Sequence, residues 1–134
     1  MAELRFADVA EGVRAAIAAY TQALDDGRTA DVVATFCADG SCDIPGLGSA
    51  EGHDALRQAY ERVEPRRPQR HLALNTLVQD WDDDEATAVS DVVFLLLRQA
   101  GRQVQLVGRY HDVLRRDGDV WRFRRRRADF VSPS

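Results

Sequence analysis

The residues of this chain that could do acid–base chemistry lie far apart along it. Asp25 closes the first apolar-periodic segment, with Tyr20 five places before it. His71 stands at the start of the first extended stretch, and Arg126 and Arg127 end a run of arginines near the C-terminus. If Asp25 and His71 meet, the carboxylate can accept the proton of one ring nitrogen, hold the tautomer and favour imidazolium formation. The other nitrogen is then left as a general base. A tyrosine hydroxyl can donate a hydrogen bond to a carbonyl or to a leaving oxygen. An arginine, always charged, can stabilise an enolate or a departing anion. Such a set removes a proton next to a carbonyl or from an activated C–H. Loss of water or halide, double-bond migration and aldol cyclisation are different exits from the same carbanion-like state. Taken singly, these residues have plainer readings. On spacing alone Asp25 is a solvated helix-end carboxylate, badly placed for the helix dipole. His71 is a strand histidine bonded to a neighbour, and Tyr20 is core packing.

The elements that must position them follow from periodicity. Asp8, with Glu11 three residues on, forms a capping box that opens a helix. Val9, Val13, Ile17, Tyr20 and Leu24 make its apolar stripe, and Gly27 ends it. Residues 30 to 37 predict a second, short helix closed by Ala38-Asp39-Gly40. Ser41 to Ile44 predict a short strand, followed by a Pro45-Gly46-Leu47-Gly48 loop. A helix from about Gly52 to Val63 turns Leu56, Tyr60 and Val63 inward, and Pro65 and Pro68 end it. From Arg70 the period becomes extended: His71, Ala73, Asn75 and Leu77 share one face, and Leu72, Leu74, Thr76 and Val78 the other. The Asp82-Asp83-Asp84 turn leads to a strand from Ala86 to Arg98, whose run from Val92 to Leu97 predicts burial on both faces. Gly101 turns the chain into Gln103 to Arg115. Asp117-Gly118 is a hairpin turn, and a last strand runs from Val120 to about Val131 before Pro133 ends the ordered part. Three helices segregated from four long antiparallel strands make an α+β domain with a curved sheet and a concave interior.

Composition narrows the class. The chain has 134 residues, enough for one domain over 1–134 and not for two. Hydrophobic content of 45% and charged content of 30% belong to an ordinary soluble protein. No apolar run approaches the roughly 20 residues that span a bilayer. The first residues lack the layout of a signal peptide, which places the chain in the cytoplasm. Cys37 and Cys42 form neither a disulfide framework nor a zinc knuckle and read as buried thiols. His53, His71 and His111 have no metal-ligand spacing. All 18 basic residues are arginine, which discounts the arginine clusters as a functional signal. Alternation along a strand splits Arg122 to Arg127 between two faces, and with the net charge of −4 this argues against a nucleic-acid partner.

Five local patterns occur in an order that resembles a known family: Tyr20-x-x-x-x-Asp25, Phe36 followed by Ala38-Asp39-Gly40, Gly52 opening a helix, Arg70-His71 with Asn75, and the closing hairpin from Gly108 to Arg127. Together they resemble SnoaL-like proteins of the nuclear transport factor 2-like superfamily, in the subgroup that also resembles scytalone dehydratase, lindane dehydrochlorinase and bile-acid dehydratase. The resemblance implies a cone-shaped α+β barrel, a curved antiparallel sheet packed around N-terminal helices. It implies a catalytic dyad of Asp25 and His71. It adds Tyr20, Asn75, Tyr110 and one of Arg126 and Arg127 as residues that meet a substrate; strand parity does not settle which arginine faces in. His111 sits where the subgroup is variable and inherits no role.

The expected function is therefore a small enzyme with no cofactor and no metal, acting on an apolar, ring-sized molecule as a dehydratase, isomerase or polyketide cyclase. A binding or assembly module on the same fold is the alternative. The resemblance also implies a homodimer, and no membrane partner is expected. The dimer surface is either face of the long strands, with Leu72, Leu74, Val104 and Leu106 on the candidate outer one.

Overall fold

The computed structural model describes residues 3–131; the expected end at Pro133 lies outside them. The element order is α1 (Phe6–Asp25), α2 (Thr29–Ala34), β1 (Phe36–Ile44), β2 (Gly48–Glu51), α3 (His53–Glu61), β3 (Gln69–Trp81), β4 (Glu85–Arg98), β5 (Gly101–Asp117) and β6 (Val120–Phe130). The α1 stripe of Val9, Val13, Ala16, Ile17 and Tyr20 is buried as its spacing predicts. Its start differs. Arg5 is the N-cap, and Asp8 caps from the third helical position, its carboxylate accepting the Arg5 backbone N–H at 3.2 Å. Gly27, at φ 71°, ends α1 with a pair of bonds: Gly27 N–H to the Leu24 carbonyl and Arg28 N–H to the Ala23 carbonyl. That is a Schellman motif, which needs a left-handed residue. It makes Asp25 the last helical residue.

The expected second helix is too long at its end. It stops at Ala34, and Phe36 to Gly40 belong to β1. Phe36 enters the core against Tyr20, Tyr60 and Phe123. The strand then bulges between Phe36 and Ser41, and a Cβ at Gly40 would press on the Phe123 carbonyl of β6. Ala38-Asp39-Gly40 is thus a bulge inside a strand, not a helix end. The Pro45–Leu47 turn joins β1 to β2, a short strand that pairs back on β1.

One open, curved six-stranded sheet results, in the order β2-β1-β6-β5-β4-β3. Its only parallel pair among the described strands is β1 with β6. The helices cover the concave face, where the core lies. Four further bulges interrupt the long strands; one, at Gln79, lies near the end of β3, and the other three set which residues reach the concave face. In β3 two residues, Asn75 and Thr76, face the single Ser90; Asn75 takes φ 55°. In β5 Gln105 is the extra residue opposite Phe94 and Leu95. In β6 it is Arg124. Because side chains alternate along a strand, each extra residue exchanges inside for outside up to the next such residue.

The core also holds an ion pair. Arg126 and Asp112 are fully enclosed, with Nε 3.1 Å from Oδ1. The approach is not aligned for a hydrogen bond, and the guanidinium nitrogens and both Asp112 oxygens find no hydrogen-bond partner among the described residues. Burial pushes the Asp112 carboxyl up to about 6, with Arg126 pulling it the other way. The guanidinium lies over the rings of Tyr110 (3.5 Å to the centroid), Tyr20 (4.2 Å) and Phe123 (4.5 Å). A buried pair without hydrogen bonds is a poor stabiliser, since desolvating each ion costs several kcal/mol.

Packing of α1 on β6 makes a prediction whose sign is informative. A Cβ at Gly12 would run into the indole of the buried Trp121. Helix propensity alone makes Gly12→Ala stabilising by about 1 kcal/mol. Overpacking costs about 1–3 kcal/mol and should win. Thermal unfolding is expected to show a lower Tm for Gly12→Ala; a higher one would mean that α1 does not sit on Trp121 as described.

Candidate active site

The end of α1 and the start of β3 meet at Asp25. Its carboxylate is nearly enclosed, with the side chain 4% exposed, so the solvated reading taken from spacing alone does not hold. Three donors reach it from β3. The His71 backbone N–H lies 2.7 Å from Oδ2, His71 Nδ1 lies 2.6 Å from Oδ1, and Gln69 Nε2 lies 3.2 Å from Oδ1. Together they offset the unfavourable place at the negative end of the helix dipole. The imidazole is stacked on Phe94, its cross-strand partner on β4, at 4.3 Å between ring centroids and 17° between planes. With Nδ1 engaged by a carboxylate, the neutral ring carries its proton there and leaves Nε2 with a free lone pair.

His71 lines a cavity of about 250 Å³ between the helices and the sheet. Tyr20, Tyr60 and Tyr110 also line it, with apolar walls that include Phe94, Leu106 and Phe130. Asp25 does not line it and stands behind the imidazole. The Tyr20 and Tyr60 hydroxyls are 2.6 Å apart. One donates to the other, so one O–H of the pair is left to donate elsewhere, with the Cys42 thiol also beside Tyr60. Burial is the chief cause that pushes both phenols well above their ordinary range, so both stay protonated at neutral pH.

The other expected site residues divide. Tyr110 lines the cavity. Arg126 faces inward, but it is fully enclosed behind the Tyr20 and Tyr110 rings and does not reach the cavity surface. Arg127 faces outward and pairs with Asp129 at 2.6 Å. The bulge at Arg124 breaks the alternation of the buried Trp121 and Phe123 and turns Arg126 inward. Asn75 is not brought to the cavity. The β3 bulge places it on the outer face, where Nδ2 donates to Asp91 Oδ2 at 2.9 Å, and Thr76 and Val78 continue the inner face in place of Asn75 and Leu77. Leu106 leaves the outer group for the cavity wall because of the bulge at Gln105.

Two contributors have little signal in the sequence. The spacing of α3 turns Tyr60 inward, but nothing in it points to Tyr20 as its partner. Gln69 lies one residue before the expected strand start. His111 lies 3.1 Å from Asp129, and His53 Nε2 lies 2.9 Å from the Phe36 carbonyl. Cys37 and Cys42 are buried free thiols. Among the described residues no group of three or more His, Cys, Asp or Glu side chains could hold a metal ion, and no helix is long and apolar enough to cross a membrane.

Solved structures share this architecture. Rv3472, a protein of unknown function from Mycobacterium tuberculosis, superposes with a TM-score of 0.83 at 26% identity, covering 90% of this chain and 70% of that one. A candidate scytalone dehydratase from Novosphingobium aromaticivorans gives 0.80 at 21%, covering 91% and 83%. A protein from Catenulispora acidiphila in complex with S-DNPA gives 0.81 at 24%, covering 92% and 94%. At such identities the last two speak for the fold alone, which similar structures describe as NTF2-like and cystatin-like. No curated protein matches the sequence. The SnoaL-like domain family matches residues 6–127, nearly the whole described chain, and with the fold and the closing hairpin in place the chain belongs to the SnoaL-like family.

Proposed function

We propose that the cavity is an active site in which His71 Nε2 removes a proton from a carbon next to the carbonyl of a small, mainly apolar cyclic compound. Asp25 holds the imidazole and stabilises the imidazolium that forms. The electron pair left by the proton moves onto the carbonyl oxygen, and the spare O–H of the Tyr20–Tyr60 pair donates to the resulting enolate. Return of the proton at another carbon gives an isomerase. Departure of a hydroxyl that takes the proton from His71 gives a dehydratase, and attack on a second carbonyl gives a cyclase. The observation that carries the proposal is the 2.6 Å contact of Asp25 with His71 Nδ1 on the wall of an apolar cavity. The ligand in the Catenulispora acidiphila structure and the dehydratase assignment in Novosphingobium aromaticivorans support a small-molecule reading.

A second copy of the chain is proposed to cover the convex face of the sheet. Leu72 and Leu74 of β3 and Val104 and Val107 of β5 are 41–59% exposed there, with Val93 of β4 in register between Leu72 and Val107. A contiguous apolar patch of this kind marks an interaction surface.

Two measurements test these statements. Deuterium exchange at the activated CH₂ of 2-tetralone, a bicyclic ketone, should be catalysed by the wild type. His71→Ala should slow it about 10²–10⁴-fold while the circular dichroism spectrum is unchanged. Equal rates in the two proteins would remove the mechanism, and a cavity that binds the ketone without exchange would leave a binding module. Sedimentation at micromolar concentration should give twice the chain mass of 15.0 kDa; a monomer alone would overturn the dimer.

A further inference from the structure

Arg126 and Asp112 have no part in the proton transfer just described, and as a structural feature they are costly. Both are fully enclosed, both lack hydrogen bonds among the described residues, and well-packed apolar side chains would hold the same core as well or better. Their surroundings suggest what they do. The guanidinium carbon lies 3.5 Å from the centroid of Tyr110, the closest of the three rings it touches. Tyr110 lines the cavity, and no hydrogen bond from another described side chain acts on its hydroxyl. A cation against the face of a phenol draws electron density from the ring and stabilises negative charge on its oxygen. The O–H therefore becomes a stronger donor. For Tyr110, burial acts against ionisation and Arg126 acts for it, ahead of the opposing effect of Asp112.

We infer that Tyr110 is a second hydrogen-bond donor of the cavity, and that Arg126, held by Asp112, acts on a bound molecule through the Tyr110 ring and not by contact. Arg126 is thus a positioning residue. The cavity surface offers oxygen-directed donors that are neutral, while the full charge stays behind the rings. The ligand this favours has an aromatic or unsaturated ring with a carbonyl, enol or phenolic oxygen, not a carboxylate or phosphate. This inference rests on the cavity being a small-molecule site.

The test compares two probes of one shape: 4-nitro-1-naphthol, which carries the oxygen and changes absorbance when it ionises, and 1-nitronaphthalene, which lacks it. Tyr110→Phe should weaken binding of the naphtholate about tenfold and leave 1-nitronaphthalene unchanged. Arg126→Met should do the same, and the double variant should lose no more than either single one. The bound naphthol should also be less ionised at a given pH in each variant. If Arg126→Met does not fold, Arg126→Gln, planar and neutral, reads the same loss. Additive losses would overturn the inference by making Arg126 act independently of Tyr110. Equal weakening of both probes would overturn it by making the pair structural. Wild-type protein that binds neither probe would overturn the cavity reading and this inference with it, whereas binding of both without an effect of Arg126 would overturn the inference alone.

Discussion

The site depends on how Asp25 is held at the junction of α1 and β3. A carboxylate at the last position of a helix faces the negative end of the dipole, a cost of about 0.3–1 kcal/mol. Charge-assisted hydrogen bonds return about 1.5–3 kcal/mol each, and Asp25 accepts three. One comes from the His71 backbone. β3 is an edge strand, and its outward N–H groups have no further strand to pair with. Asp25 takes one of them, and the same carboxylate fixes the tautomer of the side chain on that residue. The Schellman turn at Gly27 ends the helix at Asp25. Helix end, strand edge and imidazole are therefore locked by one group.

Much of this architecture is legible in the sequence. The stripe of α1, the inner face of α3, the long strands and the Asp117-Gly118 turn follow from periodicity and turn chemistry, and they land within a few residues of where the structure has them. The resemblance names the pair Asp25 and His71, which spacing alone does not join. The misassigned strand faces share a physical cause. Alternation predicts a strand face only until an extra residue enters. Bulges at Asn75, Gln105 and Arg124 exchange the faces of β3, β5 and β6. They turn Asn75 out, bring Leu106 in and choose Arg126 over Arg127. Asn75 carries a weak signal, because asparagine tolerates positive φ. Gln105 and Arg124 carry none, and neither does Gly40, whose role is set by the carbonyl of a strand more than eighty residues away.

The same bulges separate charge from the cavity. With Arg126 behind Tyr110 and Tyr20, its charge is screened from the cavity by aromatic rings, and the Tyr20 and Tyr60 phenols are kept neutral by burial. The same cavity is lined by an imidazole backed by a carboxylate. On the proposed reading, base and donors line one small apolar space, which is the set of groups that enolate chemistry needs. Specificity among ring-sized substrates would then come from Leu106, Phe94 and Phe130, whose shapes set the walls, while the chemistry common to dehydration, isomerisation and cyclisation comes from the polar groups.

The central claim is that Asp25 holds His71 with Nε2 free. The ¹⁵N NMR spectrum of the histidine rings tests it most directly. The account predicts that neutral His71 is the Nδ1–H tautomer, with a strongly deshielded Nδ1 proton that disappears in Asp25→Asn. A His71 in the ordinary Nε2–H tautomer, unchanged by that substitution, would contradict it.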